Sequence, residues 1–380
     1  MEPSLCSPRC TVPSATRPFD ERSDTGSARD SRDVLRPDSY LMRFSDGTVF
    51  HGGPDIKIGG QPITRFGCLT FNDDSVRALI ADFHEAVVEH YQSRWPSGTV
   101  LNYMTCADPT METEYSCAGY LDFSRYAKVE YRTWLQQRYG TIGALNAAWG
   151  TKYTSFSQVN PYFNTKAPKP DRDPRWLDWV RFRSFSLKRF IDEMADRVHA
   201  ADPDAEYGVQ FGGGLWHTPW IRNLFELETL VENCDWVVNY GRQDFPNQFD
   251  ADVNRGILPD KKLIAELDGP HFGFTDTQNL NCGKAAFNRG YVAVELANWA
   301  YQGLDTLRDP QWTFLATLAS MGTGKVPKIT PVGTIDANVS DLYAWHDTTT
   351  WRDAIYAQWK TLTSNGAKIA DVKYHDDLTR

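Results

Sequence analysis

A chain of 380 residues with a net charge of −9 can form one large domain, and it is too acidic for a nucleic-acid surface, which needs a basic face. No apolar run reaches the ~18 residues needed to cross a bilayer, so a soluble protein with no membrane partner is expected. Seven cysteines, odd in number and irregular in spacing, give neither a disulfide framework nor a CxxC metal pair, so reduced, structural thiols are expected.

Residues 1–39 are rich in Ser, Arg, Asp and Pro without any hydrophobic period, which predicts a disordered segment. They contain no apolar core with a small-residue cleavage site and so no secretory signal, and a cytoplasmic location is the expectation. Order begins near "YLMRFSDGTVFHGG", where Asp46-Gly47 between two alternating runs reads as a hairpin. "ITRFGCLTF" is a strand candidate, and Asn72 to Ser75 supply caps for a helix whose apolar positions are Val76, Leu79, Ile80, Phe83, Val87 and Tyr91. "TVLNYMTCA" is the next strand, followed by helices over about 123–138, 141–149 and 174–200. "AEYGVQFGGGLW", "CDWVVNYG" and "KKLIAELDGP" return to strand, a helix is expected near 284–301, and "QGLDTLRD" closes the series as a short strand.

Alternating strand and helix predicts an α/β fold with a parallel sheet covered by helices. No GxGxxG turn follows a strand, whereas polar and aromatic residues cluster after several different strands: "DPTMETEYS", "GGGLWHTPW", "NYGRQDF" and "ELDGPHFG". Catalytic groups drawn from many strand ends on one face are the arrangement of a (β/α)8 TIM barrel, which is the fold expected here.

Two strand ends carry glutamates. "DPTMETEYS" offers Glu112 and Glu114, and "LIAELDG" offers Glu266 directly after an apolar run, about three βα units further on. A carboxylate closing a buried strand is costly unless paired, so each needs a reason to be there. One reason is glycoside hydrolysis, where one carboxyl protonates the leaving oxygen and a second meets the developing oxocarbenium ion. Solvent exposure, helix capping or an arginine partner would explain any one of them equally well. With 13 Trp and 17 Tyr the chain can also line a cleft with the flat rings on which sugars stack, although a single aromatic is more often core. Trp216, Trp220 and Phe272, which follow such strands, are the candidates for sugar stacking. His217 and His271 also follow strands, but lone histidines there are more often substrate hydrogen-bonders or structural than metal ligands, so no metal or other cofactor is expected.

The run "YLDFSRYAKVEYRTWLQQRYGTIGALNAAWGTKYTSF", with Trp134, Leu135, Arg138, Tyr139, Gly140, Thr141, Leu145, Asn146, Ala148, Trp149, Gly150 and Thr151, resembles glycoside hydrolase family 42, the β-galactosidases of the clan A barrel type. "RWLDWVRFRSFSL" continues the resemblance, which is looser outside 120–200. It implies a retaining two-glutamate mechanism on β-galactosides or related small glycosides, with Glu266 as the nucleophile and Tyr240 as its hydrogen-bonding neighbour. The family's acid/base lies in an Asn-Glu-Tyr motif; this chain has Thr113-Glu114-Tyr115, so the asparagine that would contact the sugar's 2-hydroxyl is missing. The alternative register resembles β-amylases, with Pro109, Glu112 and Tyr115 in place; Glu112 is favoured and Glu114 is the close second. The domain plan expected is a non-family segment over 1–39, a partial barrel over 40–340, and the start of a Rossmann-like second domain over 341–380. Strands one and two have no counterpart, so a fragment is expected. The rival function is a non-catalytic carbohydrate-binding or inactive remnant. Full-length relatives are expected to be capable of homo-oligomer formation.

Overall fold

The computed structural model describes residues 37–49, 57–58, 61–62, 68–96, 99–105, 113, 121–163, 172–211, 227–240, 247–268, 275–297, 316–322, 326, 333–338, 348–364 and 370–375. Met1–Ser39 and Tyr40–Arg380 separate into two units. The expected hairpin is present. Phe44 N–H donates to Thr48 O at 3.0 Å, Gly47 N–H donates back to Phe44 O at 2.9 Å, and Gly47 sits at φ +86, where a side chain would be strained. Its first strand meets the "ITRFGCLTF" segment through an antiparallel bridge, Leu41 to Leu69. Lys57–Ile58 (β1) and Gln61–Pro62 (β2) form a second short antiparallel pair.

The next elements in chain order build the main layer. These are helix α1, Asp74–Gln92; strand β3, Asn102–Met104; helices α2, Arg125–Tyr139, α3, Ile142–Trp149, and α4, Pro174–Ala201; and strand β4, Glu206–Phe211. Helix α5, Leu227–Leu230, strand β5, Trp236–Tyr240, helix α6, Asn247–Ile257, strand β6, Lys262–Asp268, helix α7, Asp276–Phe287, and strand β7, Ala293–Ala297, complete it. All five strands β3 to β7 are parallel and hydrogen-bonded in sequence order. A doubly wound sheet reverses its strand order at a switch point; this one does not, and it is the curled wall of an incomplete (β/α)8 barrel.

The helix boundaries follow from local chemistry. Asp73 caps α1 through the amides of Ser75 and Val76, Ser124 caps α2, Thr141 caps α3, and Asp173 with Pro174 at the first turn starts α4. Helices α2 and α3 stop at Gly140 (φ +71) and Gly150 (φ +67), the positive-φ positions that end helices most cheaply for glycine.

One element differs from expectation. The helix expected over 284–301 is two elements: α7 ends by Asn288, a turn at Gly290 (φ +81) breaks it, and β7 begins where Val292 N–H donates to Leu263 O at 2.9 Å. "VAVELA" has the two-residue alternation of a strand, and sheet pairing overrides the helical propensity of its alanines and leucine. "QGLDTLRD" lies outside the described residues.

Tyr207, Val209, Phe211, Val237, Leu263 and Ala265 face the helix layer and are buried with Trp176, Trp179, Phe182 and Phe190 of α4. Tyr131 and Phe182 lie within 5.2–5.5 Å of the Trp179 ring, so α2 and α4 lock through aromatic faces. Helix α1 keeps part of its expected face: Val76 is buried with Arg77, Ala81, His84 and Val88, and Ile80 and Val87 pack against the core, whereas Leu79 and Phe83 are 64 % and 66 % exposed. Among the described residues α4 is the helix packed most closely on α1, through ion pairs such as Arg77 Nε to Glu193 at 2.7 Å.

Strands β8, Gly333–Asn338, and β9, Ala370–His375, pair in parallel around helix α8, Thr348–Ser364. Strand β8 lies ahead of residue 341, where the second domain is expected to start. Trp359 of α8 donates its Nε1–H to Asp252 Oδ2 of α6 at 2.9 Å, and Phe249 meets Tyr356 and Trp359 edge-on. No helix among the described residues is long and apolar enough to cross a membrane.

Candidate active site

In a parallel ladder, residues paired in register point to the same face. The face opposite the helices therefore carries Gly208 and Gln210 of β4, Trp236 and Val238 of β5, Ile264 and Glu266 of β6, and Glu295 of β7. The interior is layered. At the N-terminal end of the strands Lys262 pairs with Glu206. Next, the Trp236 indole covers Gly208 so closely that a Cβ there would lie 2.0 Å from Trp236 Cδ2. This fills the barrel interior below and leaves the C-terminal strand ends as the place for chemistry.

Glu266 stands at those ends. It is only 3 % exposed, and Gln210 donates its Nε2–H to Glu266 Oε2 at 3.1 Å. Strands β4 and β6 are not neighbours, but alternate strands of a barrel supply one interior layer, so their side chains can meet across β5. Glu295 is paired in register with Glu266 on the adjacent strand, and burial pushes its carboxyl up from the ordinary range. Tyr240 is the register partner of Glu266 on β5.

The loop after β3 is tied to the same place. Thr113 N–H donates to Gln210 O at 2.7 Å, and its hydroxyl donates to Thr105 O at 2.6 Å. Thr113 is fully buried, and its hydroxyl is committed to the backbone. Thr105 accepts from Tyr207 OH at 2.9 Å and lies 2.8 Å from His84 Nε2, so the loop is braced from the helix layer as well. Burial pulls the His84 imidazole below its ordinary value, and its Nδ1 has no hydrogen-bond partner.

Of the residues predicted from sequence, Glu266 is placed in full and Tyr240 by its backbone. Glu112, Glu114, Tyr115, Trp216, His217, Trp220, His271 and Phe272 lie outside the described residues. Gln210 and Glu295 were not predicted. Gln210 is a polar residue within a strand that otherwise reads as core, a signal open to sequence reasoning; Glu295 is hidden by the helical reading of its segment. Among the described residues no group of three or more His, Cys, Asp or Glu could hold a metal ion. The described cysteines Cys68, Cys234 and Cys282 are buried and outside any disulfide, and burial pushes the Cys234 and Cys282 thiols up to about 12, which disfavours the reactive thiolate. A groove of about 680 Å³ lies elsewhere, on the outer layer between α1 and α4, bordered by Glu85, Phe185, Lys188, Asp192 and Arg197.

The family model of the glycoside hydrolase 42 β-galactosidases matches residues 65–240. The β-galactosidase Bga of Halorubrum lacusprofundi is 34 % identical over 278 residues, which are 70 % of this chain and 32 % of that protein. A thermophilic β-amylase of Thermoanaerobacterium thermosulfurigenes is 28 % identical over 172 residues, 44 % of this chain and 30 % of that protein. This chain thus spans about a third of the length of these relatives. Among solved structures, the polyextremophilic β-galactosidase from the same haloarchaeon superposes with a TM-score of 0.67 at 22 % identity, covering 91 % of this chain and 55 % of that one.

Proposed function

Because the chain belongs to glycoside hydrolase family 42, we propose that it carries the catalytic core of a retaining hydrolase for β-galactosides or related small glycosides, with Glu266 as nucleophile. The observation that carries this reading is the burial of Glu266 at a C-terminal strand end, where it accepts from the Gln210 amide above a filled barrel interior. A glutamate placed so deep is not solvated, and its placement suits attack on a bound sugar.

In the proposed cycle a Glu266 oxygen attacks the anomeric carbon as the bond to the leaving oxygen breaks. The acid/base glutamate passes its proton to that oxygen. The same residue then takes a proton from water, whose oxygen displaces Glu266 from the same face that the aglycone left. The hemiacetal product thereby keeps its configuration and both carboxyls return to their starting states. Such a pair stands roughly 5–5.5 Å apart. Support for the pairing comes from Thr113, whose chain neighbours are Glu112 and Glu114 and which is bonded to the residue that holds Glu266.

Glu112 is the proposed acid/base. Thr113 occupies the place of the family's asparagine, and its hydroxyl is bonded to Thr105 O and so is not offered to a sugar. This favours the β-amylase-like register over the Asn-Glu-Tyr one. Tyr115, Trp216, His217, Trp220, Tyr240, His271 and Phe272 are proposed to line the sugar sites.

The test uses nitrophenyl glycosides. Glu266→Gln should lower turnover at least about a thousandfold, with azide restoring part of it to Glu266→Gly. Glu112→Ala should spare activated leaving groups and disable poor ones, while Glu114→Ala changes little. Full activity in Glu266→Gln would remove it as nucleophile, and the reverse pattern at the other pair would transfer the acid/base role to Glu114. An inert wild-type chain with intact sugar binding would instead support a non-catalytic remnant.

A further inference from the structure

We propose that Gln210 is the positioning residue of this site: it aims the Glu266 carboxylate with its side chain and anchors Thr113 with its backbone. The inference rests on the reading of Glu266 as nucleophile and adds a residue that does not itself touch substrate.

Two bonds leave one residue in opposite directions. The Gln210 Nε2–H donates to Glu266 Oε2 at 3.1 Å, and the Gln210 carbonyl accepts from Thr113 N–H at 2.7 Å. Thr113 is therefore linked to Glu266 through the atoms of one buried amino acid. Gln210 is 8 % exposed, in a strand whose other buried residues are Tyr207, Gly208, Val209 and Phe211. A primary amide at such a position is costly to bury unless its hydrogen-bonding groups are used.

The amide also distinguishes two carboxyls of one sheet face. Glu266 and Glu295 are register partners on adjacent strands and point to that face. The donor goes to Glu266, whereas burial raises Glu295. A hydrogen bond to the charged form of a carboxyl favours that form, so the Gln210 amide supports a charged Glu266. Among the described residues, Glu206 and Lys262 pair with each other below on this face, and Tyr240 and Asp268 occupy register positions of it on β5 and β6. On β3 the face offers only Asn102 and Met104.

The experiment reads ionisation and turnover separately. In the full 380-residue chain with ¹³C-carboxyl-labelled glutamate, the Glu266 signal is assigned by its loss in Glu266→Gln and titrated. Gln210→Met removes the donor and keeps the volume; Gln210→Glu keeps the shape and adds a like charge. In Gln210→Met the Glu266 midpoint should rise by about one pH unit, the worth of one hydrogen bond to a charged group. It should rise further in Gln210→Glu. The acid limb of kcat/KM should move by the same amount, and kcat should fall about tenfold with KM little changed. A midpoint and acid limb unmoved in both variants, with circular dichroism intact, would overturn the role of Gln210. Turnover indifferent to Glu266→Gln would overturn the nucleophile reading, and a shifted midpoint would then still stand as proof of the Gln210 contact.

Discussion

Replacement of Asp178 by alanine should be among the most damaging single changes outside the site. The Asp178 carboxylate is 2 % exposed and gathers four groups from three helices. Tyr139 OH donates to Oδ2 at 2.5 Å and Trp149 Nε1 to the same oxygen at 2.8 Å; Arg138 Nε lies 3.3 Å from Oδ1 and Arg181 Nη1 3.7 Å from it. In Asp178→Ala the two donors lose their acceptor, and each unsatisfied buried donor costs about 1–3 kcal/mol. Arg138 is a third exposed and recovers water, so its lost pairing adds little. Arg181 is more enclosed and loses more. A total of about 4 kcal/mol is expected, against about 1 kcal/mol for Tyr139→Phe, which removes the hydroxyl together with its need for a partner. In a chain of this size that corresponds to a fall in Tm of roughly 5 °C. Urea and thermal denaturation followed by circular dichroism would measure both variants. A loss below about 1 kcal/mol in Asp178→Ala would refute the view that this carboxylate pins α2, α3 and α4 together.

Gly208→Ala should destabilise by about 2 kcal/mol, since the added Cβ meets the Trp236 ring; combining it with Trp236→Leu should return part of the loss, and additive effects would rule out the contact. For His84 the sign follows from its lowered folded value: between that value and about 6.5 the unfolded chain binds more protons, so stability falls as pH drops through this window. Urea midpoints at pH 7 and pH 5 should therefore draw closer together in His84→Gln, and an unchanged gap would refute the lowered value of His84 in the folded chain.

The legible part of the fold was that in which side-chain period and caps agree. Asp73, Ser124, Thr141 and Asp173 announce the starts of α1 to α4, and Gly140 and Gly150 announce stops, each within about two residues of expectation. The β7 segment was illegible because "VAVELA" suits either period, and only pairing with β6 decides between them. The face of α1 was only partly legible, for a different reason. Its apolar residues Leu79 and Phe83 point away from α4, while Arg77 and His84 are buried because partners satisfy them: Glu193 and the Phe71 carbonyl for Arg77, Thr105 for His84. Burial of a polar side chain depends on a partner far along the chain, which periodicity does not encode. Gln210 is the same case at the site, since its partner Glu266 is reached only once β4 and β6 share a barrel layer.

The residues that carry the family resemblance and those that carry the proposed chemistry occupy different layers. Arg138, Tyr139 and Trp149 converge on Asp178, and Asn146 binds Thr151 and Tyr153 to close the turn after α3. These side chains lie in the helix layer, outside the sheet face that holds Glu266 and Gln210. The described side chains of the helical run thus build the barrel wall, apart from the sheet face that carries Glu266. Substitution in that run should remove folded molecules and leave turnover per folded molecule unchanged. Substitution at Glu266 should do the reverse, because neutralising a buried carboxylate forfeits the proposed chemistry while relieving the cost of burying charge. Stability and kcat measured side by side for Asp178→Asn and Glu266→Gln therefore separate scaffold from site. An Asp178→Asn chain that stays folded yet loses turnover would place the α2–α4 junction in control of the strand ends, by way of the packing of α4 on β4.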